Sequence, residues 1–521
     1  MEELIFIIDF GGQYCHLISR RIRELKVYTE ILPYDLNLET LKKYILKLKG
    51  IILSGGPSSV YEKDAPRLSN EIFSYLINNK IPILGLCYGH QLIANLVGGV
   101  VSSEQIKEFG KTKCKFKLES ELFEGLKDSE IVWMSHGDQV KSLPEGYEII
   151  AQTDSCMIAG YENKNKKIYG LQFHPEVHHT PSGKKILYNF LFKICKCQGN
   201  WEIKDWLEKS IEEIKNQVKD DGVILGLSGG VDSTVAAIIL RKAIGNKLHS
   251  IFINNGLLRK NEPEEVIKTF KDELNFENFH FVNAENIFLE RLKNITDPEK
   301  KREVIGYTFI EIFEREVDKL KSKYPNIKWL AQGTIYPDRV ETKATSTLSS
   351  KIKSHHNVTL PKNMKLKIIE PLKDLYKDEV RKIGLELNIP KKIIERQPFP
   401  GPGLAVRCIG EVKKEYLDIL READYIIQKE IESAGLQSRL WQYFGIFLPV
   451  KTVGVMGDFR TYEYICVVRI VESVDAMTAN FARIDYEILE KISTRIINEV
   501  RGFNRVLYDI SNKPPSTIEF E

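Results

Sequence analysis

The sequence predicts an α/β protein: two parallel-sheet α/β domains followed by a small α+β domain. Three observations predict it. Short, unbroken apolar runs alternate with stretches of helical spacing, first in the N-terminal third and again in the middle of the chain. A Pro-Gly cluster, Pro398-Phe-Pro-Gly-Pro-Gly403, cannot continue regular structure and marks a break. A chain of 521 residues also exceeds what one hydrophobic core organises, so several domains are expected.

In order along the chain, Leu4–Ile8, Ile51–Leu53, Ile81–Leu86 and Ile168–Phe173 read as strands ending in Gly, Asp or His-Pro. Their unbroken apolarity fits strands buried on both faces, as in a parallel sheet covered by helices. Trp201, Ile203, Trp206, Leu207, Ile211 and Ile214 put a helix over Trp201–Asp221 that opens a second unit. There Val223–Leu227, His249–Ile253, His280–Val282 and Trp329–Ala331 read as strands of a second parallel sheet. Beyond the Pro-Gly break come a helix over Lys413–Ile431 and strands at Ile446–Val455 and Tyr464–Val471. A helix over Phe481–Val500 and a strand at Val506–Ile510 complete the α+β part. The domains expected are 1–198, 199–396 and 397–521, with no internal repeat.

A net charge of +3 is nearly neutral at this length, so no nucleic-acid surface is expected, although a local basic pocket for phosphate is compatible with it. The apolar run after Met1-Glu-Glu is too short for a signal peptide, and none approaches the roughly 20 residues needed to cross a bilayer. The eight cysteines form no Cys-x-x-Cys pair, which argues against structural zinc and for a reducing cytoplasm. Cys195 and Cys197 fall on an expected helix, Lys185–Lys196, where their side chains diverge and read as ordinary thiols.

Two segments carry chemistry. In Pro82-Ile-Leu-Gly-Leu-Cys87-Tyr-Gly-His-Gln91 a cysteine sits between a buried strand and a helix start, flanked by Gly85 and Gly89. Small neighbours permit the strained turn of a nucleophile elbow, and a helix N-terminus favours thiolate. Ser54-Gly-Gly56-Pro57 offers a second turn able to donate to an oxyanion, as does the N–H of Tyr88. Gln172-Phe-His174-Pro-Glu176 brings an imidazole and a carboxylate just past a strand end. Alone, Cys87 reads as a small buried apolar residue and His-x-Glu as incidental. Together they resemble class I glutamine amidotransferases. That resemblance implies a flavodoxin-like fold, with Cys87 as nucleophile, His174 as base then acid, and Glu176 orienting the ring. It also implies Gly56 and Tyr88 at the oxyanion and Gln91 holding glutamine. Ser135-His-Gly-Asp138 matches a segment of the same family, in which His136 reads as structural or interfacial.

The second segment, Leu225-Gly-Leu-Ser228-Gly229-Gly230-Val231-Asp232-Ser233-Thr234, follows a strand and opens a helix. Glycines let N–H groups approach phosphate oxygens at a helix N-terminus. It is not the Gly-x-x-x-x-Gly-Lys loop of γ-phosphate cleavage. Ser-Gly-Gly-x-Asp-Ser resembles the ATP pyrophosphatases, of adenine-nucleotide alpha-hydrolase-like fold, which cut between the α and β phosphates. That likeness implies ATP held by Ser228, Gly229, Gly230, Val231, Asp232 and Ser233, with Mg²⁺ at Asp232, since hard cations prefer oxygen ligands. The pairing matters. Ammonia displaces an oxygen poorly unless that oxygen is first adenylated, and ammonia passed on without release escapes dilution by water.

Further motifs lie at Gln332–Asp338, Ser354–Asn357, Pro398–Gly403, Val453–Asp458 and Lys513–Glu519. With them the whole chain resembles the glutamine-hydrolysing GMP synthases. The resemblance implies a homodimer and XMP held by the C-terminal part, with Arg302, Gln442, Lys513, Ile518 and Glu519 matching the XMP-binding positions. It also implies a lid with Asp338, Glu341, His355, His356 and Lys362. His355-His356 also reads as a metal pair, but no further ligands lie nearby in sequence. The chain departs from the family at Asn254, usually Asp, and at Val358-Thr-Leu-Pro361, which lacks a usual Gly-Gly and is one residue shorter. Phe459 and Phe520 replace a small residue and a Trp. Two other classes compete: an ATP-dependent RNA amidase or thiolase, which wants a basic surface and catalytic cysteine pairs, and a non-catalytic nucleotide-binding regulator, which predicts a damaged triad or loop.

Overall fold

The first three strands along the chain are β1 (Leu4–Asp9), β2 (Tyr28–Pro33) and β3 (Leu48–Leu53), of which β1 is the most continuously apolar. The computed structural model describes residues 3–339, 366–456, 458–473 and 478–521; Glu341, His355, His356, Lys362 and the Val358–Pro361 loop lie outside them. The chain divides into two units, Met1–Asp205 and Trp206–Glu521.

In the first unit β4 (Ile83–Leu86), β5 (Val100–Phe116), β6 (Ser129–Ser142), β7 (Glu148–Gln152), β8 (Gly160–Asn163) and β9 (Ile168–Leu171) complete a nine-stranded sheet of order β2-β1-β3-β4-β9-β8-β7-β5-β6. From β2 to β9 all pairs are parallel. From β9 to β6 all are antiparallel, so half of this sheet departs from the parallel expectation. The reason is visible along β6, where Val132, Met134 and His136 are buried and Trp133, Ser135 and Gly137 between them only half-buried. Such strands carry no continuous apolar run. The helix Asn70–Asn78 starts at Ser69, whose hydroxyl accepts from the Ile72 N–H at 3.2 Å.

The helix expected over Lys185–Lys196 is instead an α-helix over Gly183–Tyr188 that widens into a π turn at Asn189–Ile194. Lys196, at φ 58°, ends it in the left-handed region. The π turn therefore sets where Cys195 and Cys197 point. Both are buried, and burial pushes the Cys195 thiol well up and that of Cys197 to about 12.

In the second unit β10 (Gly222–Leu227), β11 (Leu248–Asn254), β12 (Phe279–Asn283), β13 (Ile327–Ala331) and β14 (Lys367–Ile369) form a sheet of order β12-β11-β10-β13-β14. It is parallel throughout. The long helix Pro298–Lys323 begins with Asp297 accepting from the Lys300 N–H at 2.8 Å and a proline in its first turn. Beyond the Pro-Gly break the helix Lys414–Ser433 precedes β15 (Gln442–Met456), β16 (Phe459–Glu472), β17 (Asn480–Phe481) and β18 (Phe503–Tyr508). Antiparallel β15·β16 and parallel β16·β18 make this the α+β part. Asn480–Phe481 join the sheet, so the last helix starts at Tyr486 rather than Phe481. The second parallel sheet and the α+β part share one apolar cluster that runs from Ile224 and Phe313 to Leu404, Leu420 and Phe447. Among the described residues no helix is long and apolar enough to cross a membrane.

Candidate active site

The turn between β4 and the helix Tyr88–Leu96 is sterically tight. A Cβ on Gly85 would stand 2.4 Å from the Gly89 carbonyl oxygen, and one on Gly89 would stand 2.4 Å from that of Leu53. No side chain fits at either position. Cys87 takes φ 53° and ψ −103°, strain of about 1–3 kcal/mol that surrounding hydrogen bonds must hold. Its N–H donates to the Leu171 carbonyl at 2.8 Å, and the Gly89 N–H donates to that of Ser54 at 3.0 Å. The elbow is thereby tied to β9 on one side and to the Ser54–Gly56 turn on the other.

That turn and the end of β9 bring the other groups in. A Cβ on Gly55 would lie 3.3 Å from His174 Cε1 and 3.7 Å from Cys87 Cβ, so Gly55 borders both. His174 Nδ1 pairs with Glu176 Oε1 at 2.7 Å, and the Cys87 thiol lies within hydrogen-bonding reach of the ring. Both members of the pair are buried. Burial works against a charged imidazole, but the Glu176 carboxylate and the Cys87 thiolate, with their hydrogen bonds, outweigh it and raise the His174 pKa well above its ordinary value. Further bonds fix the His174 backbone: its N–H to the Trp133 carbonyl at 3.0 Å, and Thr180 Oγ1 to its carbonyl at 2.7 Å. Arg21 Nε holds the Glu176 carbonyl at 3.1 Å. A thiol, a base and an orienting carboxylate in this order can form and hydrolyse a thioester.

Gln91 is buried, and its amide donates to the Asp138 carbonyl at 2.8 Å and to Gln172 Oε1 at 3.1 Å. The Gln172 amide lies 3.8 Å from Cys87 Sγ, and the thiol faces the Ser135 carbonyl at 3.6 Å. The Tyr88 ring packs against Phe10, and its hydroxyl donates to the Pro66 carbonyl. A Cβ on Gly56 would meet the Phe10 carbonyl at 2.7 Å, so this position too admits only glycine. His136 is buried and bonded to Glu108.

In the second unit, Gly229 at φ 74° turns the chain from β10 into the helix Val231–Ile244. Ser233 Oγ accepts from the Ser228 N–H at 3.2 Å and donates to the Gly230 carbonyl at 3.1 Å, which closes the loop on itself. Asp232 Oδ2 is paired with Lys377, whereas Oδ1 is buried with no hydrogen-bond partner among the described residues. A half-buried, half-satisfied carboxylate at a helix N-terminus is suited to a hard cation. Gly333 lies beside it, a Cβ there reaching within 3.7 Å of the Ser233 nitrogen, and Asp338 stands in the following short helical segment. Asn254 Oδ1 accepts from the Gly256 N–H at 3.0 Å, and its amide donates to Asn283. Here asparagine supplies a donor that aspartate lacks.

Of the five residues matched to XMP, Gln442 and Glu519 are brought together, with Gln442 Nε2 at 3.2 Å from Glu519 Oε1. Ile518, next to Glu519 in sequence, is buried, and Lys513 pairs with Ala479 through the backbone. Arg302 bonds Glu299 one turn back in its helix. Its neighbour Lys301, fully buried, reaches the Cys408 carbonyl at 2.8 Å and the Glu521 carboxylate, and so ties that helix to the segment carrying Glu519.

Several groups at these sites were not singled out by sequence. Gln172 and Ser135 sit inside quoted motifs, so a signal existed. Lys377 and Arg396 (which donates to the Gly229 carbonyl at 3.1 Å) come from 145 and 167 residues away and carry none. Arg407, bidentate on Glu519 at 2.9 Å, is likewise far off in sequence.

Comparison with known proteins follows the same division. Residues 6–194 match the glutamine amidotransferase class-I family, 201–302 the NAD synthase family and 429–520 the GMP synthase C terminal domain. The chain is 54% identical over 520 residues to the glutamine-hydrolyzing GMP synthase of Brachyspira hyodysenteriae, covering 100% of this chain and 99% of that one. It is 54% identical over 523 residues to that of Caldicellulosiruptor saccharolyticus and 52% identical over 521 residues to that of Clostridium tetani, with 100% of each chain covered. The chain belongs to the family of glutamine-hydrolysing GMP synthases.

Proposed function

We propose that this protein is a ligase that makes GMP from XMP with glutamine as nitrogen donor and ATP as activating agent. At the first site the Cys87 thiol gives its proton to His174 and attacks the glutamine carboxamide. The oxyanion is met at Gly56 and Tyr88. Collapse breaks the C–N bond, His174 returns the proton to the departing ammonia, and water then releases glutamate from the thioester. Gln91 acts through the Asp138 carbonyl and Gln172 rather than as an unattached amide.

At the second site the XMP oxygen attacks the α-phosphorus of ATP, pyrophosphate leaves, and ammonia displaces AMP to give GMP. Residues Ser228–Ser233 grip the departing phosphates. Mg²⁺ would be held by Asp232, whose Oδ1 is buried with no hydrogen-bond partner among the described residues, and would supply charge neutralisation to the polyphosphate. Arg302, Gln442, Lys513, Ile518 and Glu519 hold XMP, and Asp338, Glu341, His355, His356 and Lys362 serve as the lid. Functional parts 1–198, 199–396 and 397–521 follow from this assignment.

The observation that carries the reading is the 2.7 Å His174–Glu176 pair facing a strained Cys87 at a helix N-terminus. A homodimer is supported by the exposed apolar hairpin of β15 and β16, with Val455 74% and Phe459 79% exposed. Eight free, buried cysteines support a reducing, cytoplasmic setting. The test is purified protein with glutamine, ATP, Mg²⁺ and XMP, scored for GMP, AMP and pyrophosphate in equal amounts. Release of ADP and orthophosphate instead rejects adenylation.

A further inference from the structure

Behind the Cys87 thiol a chain of buried polar groups runs into the β5·β6 pair, and the triad does not use it. The register sets Glu108 opposite His136, immediately after a shift between Ser103 and Glu108. Such an irregularity re-aims the side chains that follow it. Glu108, His136 and Thr153 are all buried, and a carboxylate taken from water is costly unless it is fully hydrogen-bonded. Glu108 is. Oε1 accepts from Thr153 Oγ1 at 3.0 Å and from Ser155, and Oε2 accepts from His136 Nε2 at 3.2 Å. Burial works to raise its pKa, but the hydrogen bonds from His136, Ser155 and Thr153 outweigh it and hold Glu108 below the usual carboxylate value.

The other ring nitrogen, His136 Nδ1, lies 3.0 Å from the Asp138 carbonyl. The ring therefore bridges the Glu108 carboxylate and the Asp138 carbonyl. That same carbonyl accepts from Gln91, which donates also to Gln172, whose amide faces Cys87 Sγ. The near end of the segment, the Ser135 carbonyl, faces the thiol directly. Cys156 joins Glu108 and His136 in a group of ligand-type atoms within 4.8 Å of one another. Hydroxyl and imidazole donors already occupy both carboxylate oxygens, so the group is a hydrogen-bonded pair and not a metal centre.

We propose that Glu108 and His136 are positioning residues of the glutaminase site: their buried pair fixes the Ser135–Asp138 segment and, through the Asp138 carbonyl, aligns the Gln91 and Gln172 amides with the Cys87 thiol and the glutamine carboxamide. The proposal rests on the assignment of Cys87 as nucleophile. A displacement of about 1 Å in such a frame costs roughly 100-fold in rate.

The experiment uses the full chain with His136→Ala, His136→Asn, Glu108→Gln and Cys87→Ala. Glutamine hydrolysis is measured for kcat and KM, with ammonia-dependent GMP formation as the control for folding. His136→Ala is expected to lower glutaminase kcat/KM by roughly 10–100-fold, while ammonia-dependent synthesis stays within about twofold of the native rate. Asparagine, whose amide keeps a donor where Nδ1 stands, should recover part of the loss, which a merely structural role would not give. Should His136→Ala fail to fold, Glu108→Gln decides, since it keeps the size and removes the charge. Native glutaminase kcat/KM in Glu108→Gln, or equal loss of glutamine- and ammonia-dependent activity, overturns the proposal. Glutaminase surviving in Cys87→Ala defeats instead the nucleophile assignment on which it rests.

Discussion

The cysteine elbow and the nucleotide loop are both Gly-rich turns from a parallel strand into a helix, yet they are finished to different degrees. Around Cys87 each group is already held by its neighbours: Glu176 on His174, Thr180 and Trp133 on the His174 backbone, Leu171 on the Cys87 N–H. Around Asp232 the loop closes on itself through Ser228 and Ser233, but one carboxylate oxygen is left buried with no partner among the described residues while Lys377 neutralises the other. The Glu519 carboxylate is similarly held by Arg407. The difference teaches what each chemistry requires. Covalent attack by a thiol needs its base and acceptor fixed beforehand. A polyphosphate brings its own charge, so its site keeps unsatisfied or exchangeable charges in readiness.

Three perturbations break or sharpen this contrast, in falling order of effect. Cys87→Ala removes the one group that the preformed site exists to aim. Glutamine-dependent GMP synthesis should fall by at least roughly 10⁴-fold, with ammonia-dependent synthesis retained; loss of both in a folded protein would mean the two turns do not serve separate reactions. Asp232→Asn keeps the shape of the loop and removes its charge. GMP formation from either nitrogen source should drop by roughly 10²–10³-fold, and an unchanged rate with ammonia would show that the unpaired oxygen is not what ATP and its cation require. Gly89→Ala probes rigidity alone. Its Cβ would stand 2.4 Å from the Leu53 carbonyl oxygen, so overpacking of about 1–3 kcal/mol should lower the melting temperature of the first unit by roughly 2–10 °C. Calorimetry that finds no shift would make the elbow yielding rather than tight.

Much of this was legible before any coordinates. The unbroken apolar runs at Leu4–Ile8 and Val223–Leu227 became β1 and β10, because a strand buried on both faces has no polar position to interrupt it. The antiparallel half of the first sheet was not legible. In β6 buried and half-buried residues alternate over Val132–Gly137, so the strand offers no continuous apolar run. The π turn at Asn189–Ile194 escaped too, since nothing in an apolar helical stretch distinguishes five-residue from four-residue hydrogen bonding.

By itself the sequence determined the local patterns: which turn carries the thiol, where an imidazole and a carboxylate follow a strand end, and which Gly-rich loop opens a helix. Each is set by residues a few positions apart. Only the tertiary structure decided who stands opposite them: Gly55 against His174, Lys377 on Asp232, Arg407 on Glu519, and Glu108 behind His136. Hydrogen bonds and ion pairs are satisfied by whichever group the packed fold delivers within about 3 Å, and over such separations no spacing along the chain encodes that delivery.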